Sequence, residues 1–143
     1  MSLKINQALS DKDINQCIAL RFNIFVEGQN VPIQEELDGN DTKATHYLLS
    51  IENHPAGVAR VRCMGSYFKI ERVGIIDAYQ GKGLGRCLMQ FILAALKAQS
   101  TLNQVRLSSQ THAIPFYEKL GFLVCSDDYM DAGIQHKDMQ LMF

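Results

Sequence analysis

Residues 70–93 read IERVGIIDAYQGKGLGRCLMQFIL, and their reading decides the fold. The run from Ile70 to Ile76 is rich in β-branched residues and reads as a strand. Gly81, Gly83 and Gly85 then fall at alternate positions. From there Leu84, Leu88, Phe91, Ile92 and Ala95 recur at three- and four-residue steps, the spacing of one helix face. A strand, a glycine loop and a helix together make a general anion site. Unpaired amides of the first helical turn converge on one point and carry positive partial charge. Glycine removes the Cβ and lets the backbone approach phosphate oxygens, while Lys82 and Arg86 add formal charge.

Two familiar phosphate loops fail on named positions. A P-loop needs Lys-Ser or Lys-Thr after its glycines, and neither is present. A dinucleotide fingerprint needs a third glycine where this chain has Arg86, and its strand should open a βαβ unit rather than follow a hairpin. A third pattern, [QR]-x-x-G-x-[GA], is satisfied at every fixed place by Gln80-Gly81-Lys82-Gly83-Leu84-Gly85. That pattern is the coenzyme A pyrophosphate loop of acetyltransferases.

Outward from the loop, LKINQAL (3–9) suits an edge strand. Ser10, with Asp13 three residues on, starts a helix whose apolar face is Ile14, Cys17, Ile18, Phe22 and Phe25. THYLLSIE and AGVARVRCM flank NHPA and read as a hairpin. After the glycine-loop helix come strand QVRLSS, short helix HAIPFYEKLG, strand FLVCS and a final strand IQHKDMQLMF. The order implies an α/β (α+β) fold with a mixed, mostly antiparallel sheet and flanking helices. At 143 residues one domain over 1–143 is expected.

Composition narrows the function class. A net charge of −1 leaves no general nucleic-acid footprint. No apolar run reaches membrane-spanning length and no signal-peptide region precedes the first strand, so a cytoplasmic protein is expected. Cys17, Cys63, Cys87 and Cys125 lie far apart in apolar neighbourhoods and read as reduced small hydrophobes. His46, His54, His112 and His136 show no metal-ligand spacing, and no metal is assigned.

At this point the chain resembles the GNAT superfamily of acyl-CoA-dependent N-acetyltransferases along nearly its full length. IERVGIIDAYQGKGLGRCLMQFIL is similar to that family's central strand, pyrophosphate loop and following helix. HAIPFYEKLGF is similar to its later A-x-x-F-Y-E-K-x-G-F segment. LRFNIFVEGQNVP, EELDGND and AGIQH resemble the ElaA-type subgroup of small bacterial acetyltransferases. The resemblance implies direct transfer of an acetyl group from acetyl-CoA to a primary amine, on a small molecule, peptide or protein. Dimers are common in the superfamily, and the sequence leaves the oligomeric state open. A non-catalytic acyl-CoA-binding or regulatory module of the same fold is the alternative.

The resemblance also places roles. Residues 81–86 (Gly81, Lys82, Gly83, Leu84, Gly85 and Arg86), with Gln80, would hold the pyrophosphate. Val73, Gly74 and Ile75 would line the pantetheine arm on a splayed strand, with a bulge at Gly74 and the Ile75 N–H as oxyanion donor. Gln110 is expected beside the coenzyme, or as a helix cap. Phe116 is expected to pack the helix there. Tyr117 matches the Tyr that protonates the departing thiolate.

Glu71 is the candidate base. Alternation puts it on one face with Val73 and Ile75, and burial near a cleft would raise its pKa toward neutrality. The alternative is a carboxylate paired with Arg60, Arg62 or Arg72. His136 could reach the acceptor or be structural. The acidic run Glu35, Glu36, Asp38 and Asp41 could steer a cationic amine, or be a solvated turn.

Overall fold

The computed structural model describes residues 2–99 and 101–143. One eight-stranded sheet carries the fold, built from β1 (Leu3–Ala8), β2 (Thr45–Ile51), β3 (His54–Cys63), β4 (Phe68–Ile75), β5 (Gln104–Gln110), β6 (Leu123–Val124), β7 (Tyr129–Asp131) and β8 (Ile134–Met142). The spatial order is β1-β2-β3-β4-β5-β8-β6, with β7 also on β8. Every neighbouring pair is antiparallel except β4 and β5. A parallel pair needs a crossover, and α3 (Leu84–Gln99) supplies it.

Helices cover both faces. Leu84, Leu88, Met89, Ile92 and Leu96 of α3 join Tyr47, Leu49, Ala59, Val61, Ile70 and Val105 in the larger core. Phe91, expected on that face, is 41% exposed and rests edge-on against Tyr47. Met89 takes the inner place. On the opposite face α1 (Asp11–Arg21) seals Ala8, Cys17, Leu48 and Val58 into a second core, with Ile14, Leu20 and Ile24 packed against it. The expected Ser10 cap is present, its hydroxyl accepting from the Asp13 N–H. Phe22, expected on the inner face, is exposed, because Arg21, four residues on from Cys17, takes the inward place. The helix then widens into a π-helical stretch, Phe22–Glu27, which re-phases the side chains that follow. Short helices α2 (Ile33–Glu36) and α4 (Ile114–Glu118) complete the set.

Two hairpin turns hold residues at positive φ. Glu52 and Asn53 join β2 to β3, and Ala132 and Gly133 join β7 to β8. The second hairpin is absent from the sequence reading, since β7 is only three residues long. The cysteine expectation is corrected in part: Cys17 is buried, but Cys63 and Cys125 are exposed.

Candidate active site

The sheet opens where β4 and β5 part. They pair only through Phe68–Ile70 and Val105–Leu107, although β4 runs on to Ile75 and β5 to Gln110. The N–H of Ile76 donates to the Ala56 carbonyl on β3 at 2.9 Å. Alternation therefore turns the Ile75 N–H the other way, into the gap. The splayed strand expected from the sequence is present.

Its bulge falls at Arg72 and Val73 instead of at Gly74. Arg60 stands opposite Glu71 and Val58 opposite Gly74, so Ala59 alone faces Arg72 and Val73. Arg72 takes the strained conformation, at φ 54°. Gly74 is needed for a different reason. A Cβ there would lie 3.0 Å from Ile24 Cγ2 and 3.3 Å from Phe25 Cζ, so those side chains of the π-helical stretch would have to give way to admit it. The extra residue also reverses the alternation. Glu71 shares the α1 face with Gly74, whereas Val73 and Ile75 belong to the α3 side. The expectation that Glu71, Val73 and Ile75 share one face is thereby corrected.

Below the gap lies the glycine loop. Gly81 and Gly83 both sit at φ 78°, and nothing lies within 4 Å of the place a Cβ would take. The first helical bond of α3 runs from the Cys87 N–H to the Gly83 carbonyl. The N–H groups of Leu84, Gly85 and Arg86 therefore have no partner inside the helix. Gly85 packs against Phe116, whose Cζ lies 3.4 Å from the place a Cβ would take. Gln80 braces the loop: its side-chain amide donates to the Ile75 carbonyl at 2.9 Å and to Asp77 at 3.2 Å. Lys82 lies over the Tyr79 ring.

Two hollows meet here. A groove of about 440 Å³ runs along Val73, Gly74 and Ile75, the loop residues Gln80, Gly81 and Gly83–Arg86, and Phe116. A second, polar cavity of about 260 Å³ lies between β4, the end of β5, α2 and the β7–β8 turn, with Glu71, Ser108 and His136 in its wall. Gln29, Val73, Ala113 and Tyr117 line both. Gln110, expected at the coenzyme groove, lines the polar cavity instead and donates to Gln29 at 2.7 Å. Tyr117 is 9% exposed, and burial pushes its phenol up to about 12, keeping the proton on oxygen.

Glu71 is the arginine-paired carboxylate that the sequence left as the alternative, without the raised pKa expected of a base. Arg62 donates to both its oxygens, at 2.6 and 2.8 Å, and Arg60 reaches Oε2 from two nitrogens, at 2.7 and 3.0 Å. Burial acts to raise its pKa, but the two guanidiniums outweigh burial and hold the carboxyl below its ordinary value. Such a carboxylate has little affinity for a proton at neutral pH.

The same arginines absorb the acidic run. Arg21 and Arg60 are fully buried. Arg21 donates to Glu36 at 2.5 Å and to Asp41 at 2.6 Å, and Arg60 to Asp38 at 2.8 Å and to Asp41 at 3.0 Å. Arg72 Nε lies 2.8 Å from Glu36 Oε2 as an ion pair, though not aligned for a hydrogen bond. Asp38, Asp41 and Glu36 are thus neither a solvated turn nor free to attract a cation; Glu35 alone of the run stays exposed without an ion pair among the described residues.

Gln29, Phe25 and Ala113 are wall residues that the sequence reading missed. Tyr129, whose ring stacks on His136 at 6.1 Å, was missed with the β7 hairpin.

Comparison with known proteins agrees with this geometry. An acetyltransferase (GNAT) domain model matches residues 11–143. Protein ElaA of Escherichia coli is 31% identical over 137 residues, covering 92% of this chain and 88% of that protein. Its crystal structure superposes with a TM-score of 0.88 over 98% of this chain and 99% of that one. An acyl-CoA N-acyltransferase from Pseudomonas aeruginosa, 28% identical, has a TM-score of 0.89 over 98% of this chain and 99% of its own. A GNAT acetyltransferase of Elizabethkingia anophelis, solved with acetyl-CoA bound, shares the fold at 14% identity and a TM-score of 0.76, covering 99% and 98% of the two chains. The chain belongs to the GNAT family of acetyltransferases, and within it resembles ElaA.

Proposed function

We propose that this enzyme transfers an acetyl group from acetyl-CoA directly to a primary amine, with no covalent enzyme intermediate. The observation that carries the reading is the meeting of the groove and the polar cavity at Val73 and Tyr117. A thioester lying along the groove would present its carbonyl carbon to an amine entering from the cavity, so both reactants are held at one point.

The amides of residues 81–86 hold the pyrophosphate, with Lys82 and Arg86 adding charge, and the free edge of Val73–Ile75 takes the pantetheine arm. Gln80 serves the coenzyme indirectly, by fixing the loop to the end of β4. The Ile75 N–H polarises the thioester carbonyl, a donor of the kind worth about 3 kcal/mol of barrier. Tyr117, held neutral, gives its proton to the departing thiolate. Glu71 is a fixed negative charge in the cavity wall, not the base. Its engagement by Arg60 and Arg62 is the one observation favouring a non-catalytic, acyl-CoA-binding module. We place the protein in the cytoplasm, with its coenzyme.

Release of free CoA from acetyl-CoA, measured with tyramine, spermidine, lysine methyl ester and a lysine-containing hexapeptide, tests the proposal. Amine-dependent release supports it. Tight binding of acetyl-CoA without release against any of the four would favour the binding module.

A further inference from the structure

With Glu71 ion-paired, the acetyl transfer proposed above lacks a proton acceptor. The other titratable groups of the cavity can be sorted by their surroundings. Glu36 is held by Arg21 and Arg72. Lys69 is 3.4 Å from Glu71. Glu35, His112 and Asp131 are exposed at the rim. Tyr117 faces the groove with its proton in place. His136 remains, in the wall and 9% exposed.

Its ring is held in one orientation. Nδ1 lies 2.7 Å from the carbonyl oxygen of Ile134. A carbonyl can only accept, so Nδ1 carries the hydrogen, and in the neutral ring Nε2 keeps the lone pair. Nε2 has no protein hydrogen-bond partner among the described residues. The ring stacks on Tyr129 across the β7–β8 ladder, 22° from parallel. The Tyr129 hydroxyl is in turn tied to Ser108 and Asp138. Buried support of this kind fixes a ring for a task at its free edge.

We propose that His136 is the general base that deprotonates the acceptor amine, with Nε2 as the accepting atom. The inference rests on the acetyltransferase reading. Nε2 takes one proton from the incoming ammonium, and the freed amine nitrogen bonds to the thioester carbonyl carbon. The C–S bond then breaks and Tyr117 protonates the thiolate. The second amine proton returns to the Tyr117 oxygen as the amide forms, and His136 releases its proton to water. Ammonium and thioester become amide, thiol and one proton.

His136→Asn tests this, because an Asn amide can keep the bond to Ile134 while removing the basic nitrogen. Against whichever of the four amines the native enzyme acetylates, kcat should fall about 100-fold. The Kd for acetyl-CoA should stay within about twofold, and added imidazole should restore part of the rate. A kcat within about threefold of native, or equal loss of acetyl-CoA affinity, would overturn the assignment. If the variant does not fold, 15N chemical shifts of the native His136 ring still decide. A protonated Nδ1 and a lone pair on Nε2 support the proposal, and the reverse tautomer refutes it. A native enzyme inert toward all four amines is a distinct result, sinking the acetyltransfer reading itself.

Discussion

Replacing Arg60 by Met would test whether the charge cluster holds the cavity wall together. The Arg60 guanidinium makes five hydrogen bonds to three carboxylates, and its side chain is fully buried. Methionine conserves much of the volume, so the loss is chiefly electrostatic. After the change Asp41 keeps Arg21 at 2.6 Å and Glu71 keeps Arg62 at 2.6 Å. Asp38 is left with Arg72 at 3.4 Å, and its side chain is 25% exposed, so water can recover part of its solvation. Breaking a buried pair costs about 3–5 kcal/mol, and these remaining partners place this case near about 3 kcal/mol. For a chain of this size that is a fall in Tm on the order of 10 °C. Urea unfolding followed by circular dichroism measures it, and pH supplies an independent check. Asp38, Asp41 and Glu71 all have folded pKa values below their ordinary ones. Their stabilisation is therefore present above the unfolded value of about 4 and lost as pH falls through the lower folded values. Native stability should decline below about pH 4 more steeply than that of Arg60→Met, which has already lost much of this linkage. A loss under about 1 kcal/mol, the scale of an exposed pair, would refute the reasoning.

Other perturbations separate coenzyme binding from chemistry. Tyr117→Phe should lower kcat by about 100-fold with acetyl-CoA affinity nearly unchanged; parallel losses in steady-state and binding measurements would make Tyr117 a packing residue. Gly83→Val would strain a residue at φ 78° and fill the open space beside the loop. Calorimetry should show acetyl-CoA affinity at least about tenfold weaker, and an unchanged Kd would remove the loop from the binding site. Gln80→Ala should weaken the same affinity by about three- to tenfold, by releasing the Ile75 carbonyl from its brace. An effect confined to kcat would show that Gln80 acts on the reaction rather than on the loop.

The features legible in the sequence were those encoded locally. The strand, the glycine loop and α3 are continuous in the chain, and their spacing states their geometry directly. The register of β3 against β4 is not local, so the sequence showed a glycine and suggested a bulge but could not say which residue would take it. Gly74 looked like the irregular position, when Arg72 is the one at positive φ. The charge cluster was hidden for a related reason. Arg21 is buried on a helix for which the periodicity gives only one apolar face, and its partners Glu36 and Asp41 arrive from the end of α2 and the turn after it, 15 and 20 residues away. The sequence leaves Arg60 open as a partner of Glu71, and its two hydrogen bonds to Glu71 Oε2 make the pair.

The bulge at Arg72 divides β4 into two lengths that answer to different constraints. Upstream, Lys69 and Glu71 are set by the charges around the polar cavity. Downstream, Val73, Gly74 and Ile75 are set by α3, by the π-helical stretch and by pairing with Val58 and Gly57. The upstream length can thus change its side chains, and on the proposed function its acceptor, without moving the backbone of Val73–Ile75. Deleting Arg72 would leave Val73 alone opposite Ala59, with Gly74 still opposite Val58 and beneath Ile24 and Phe25. The bulge is thus a joint where the strand absorbs one extra residue, and the register downstream of it is kept whether that residue is present or not.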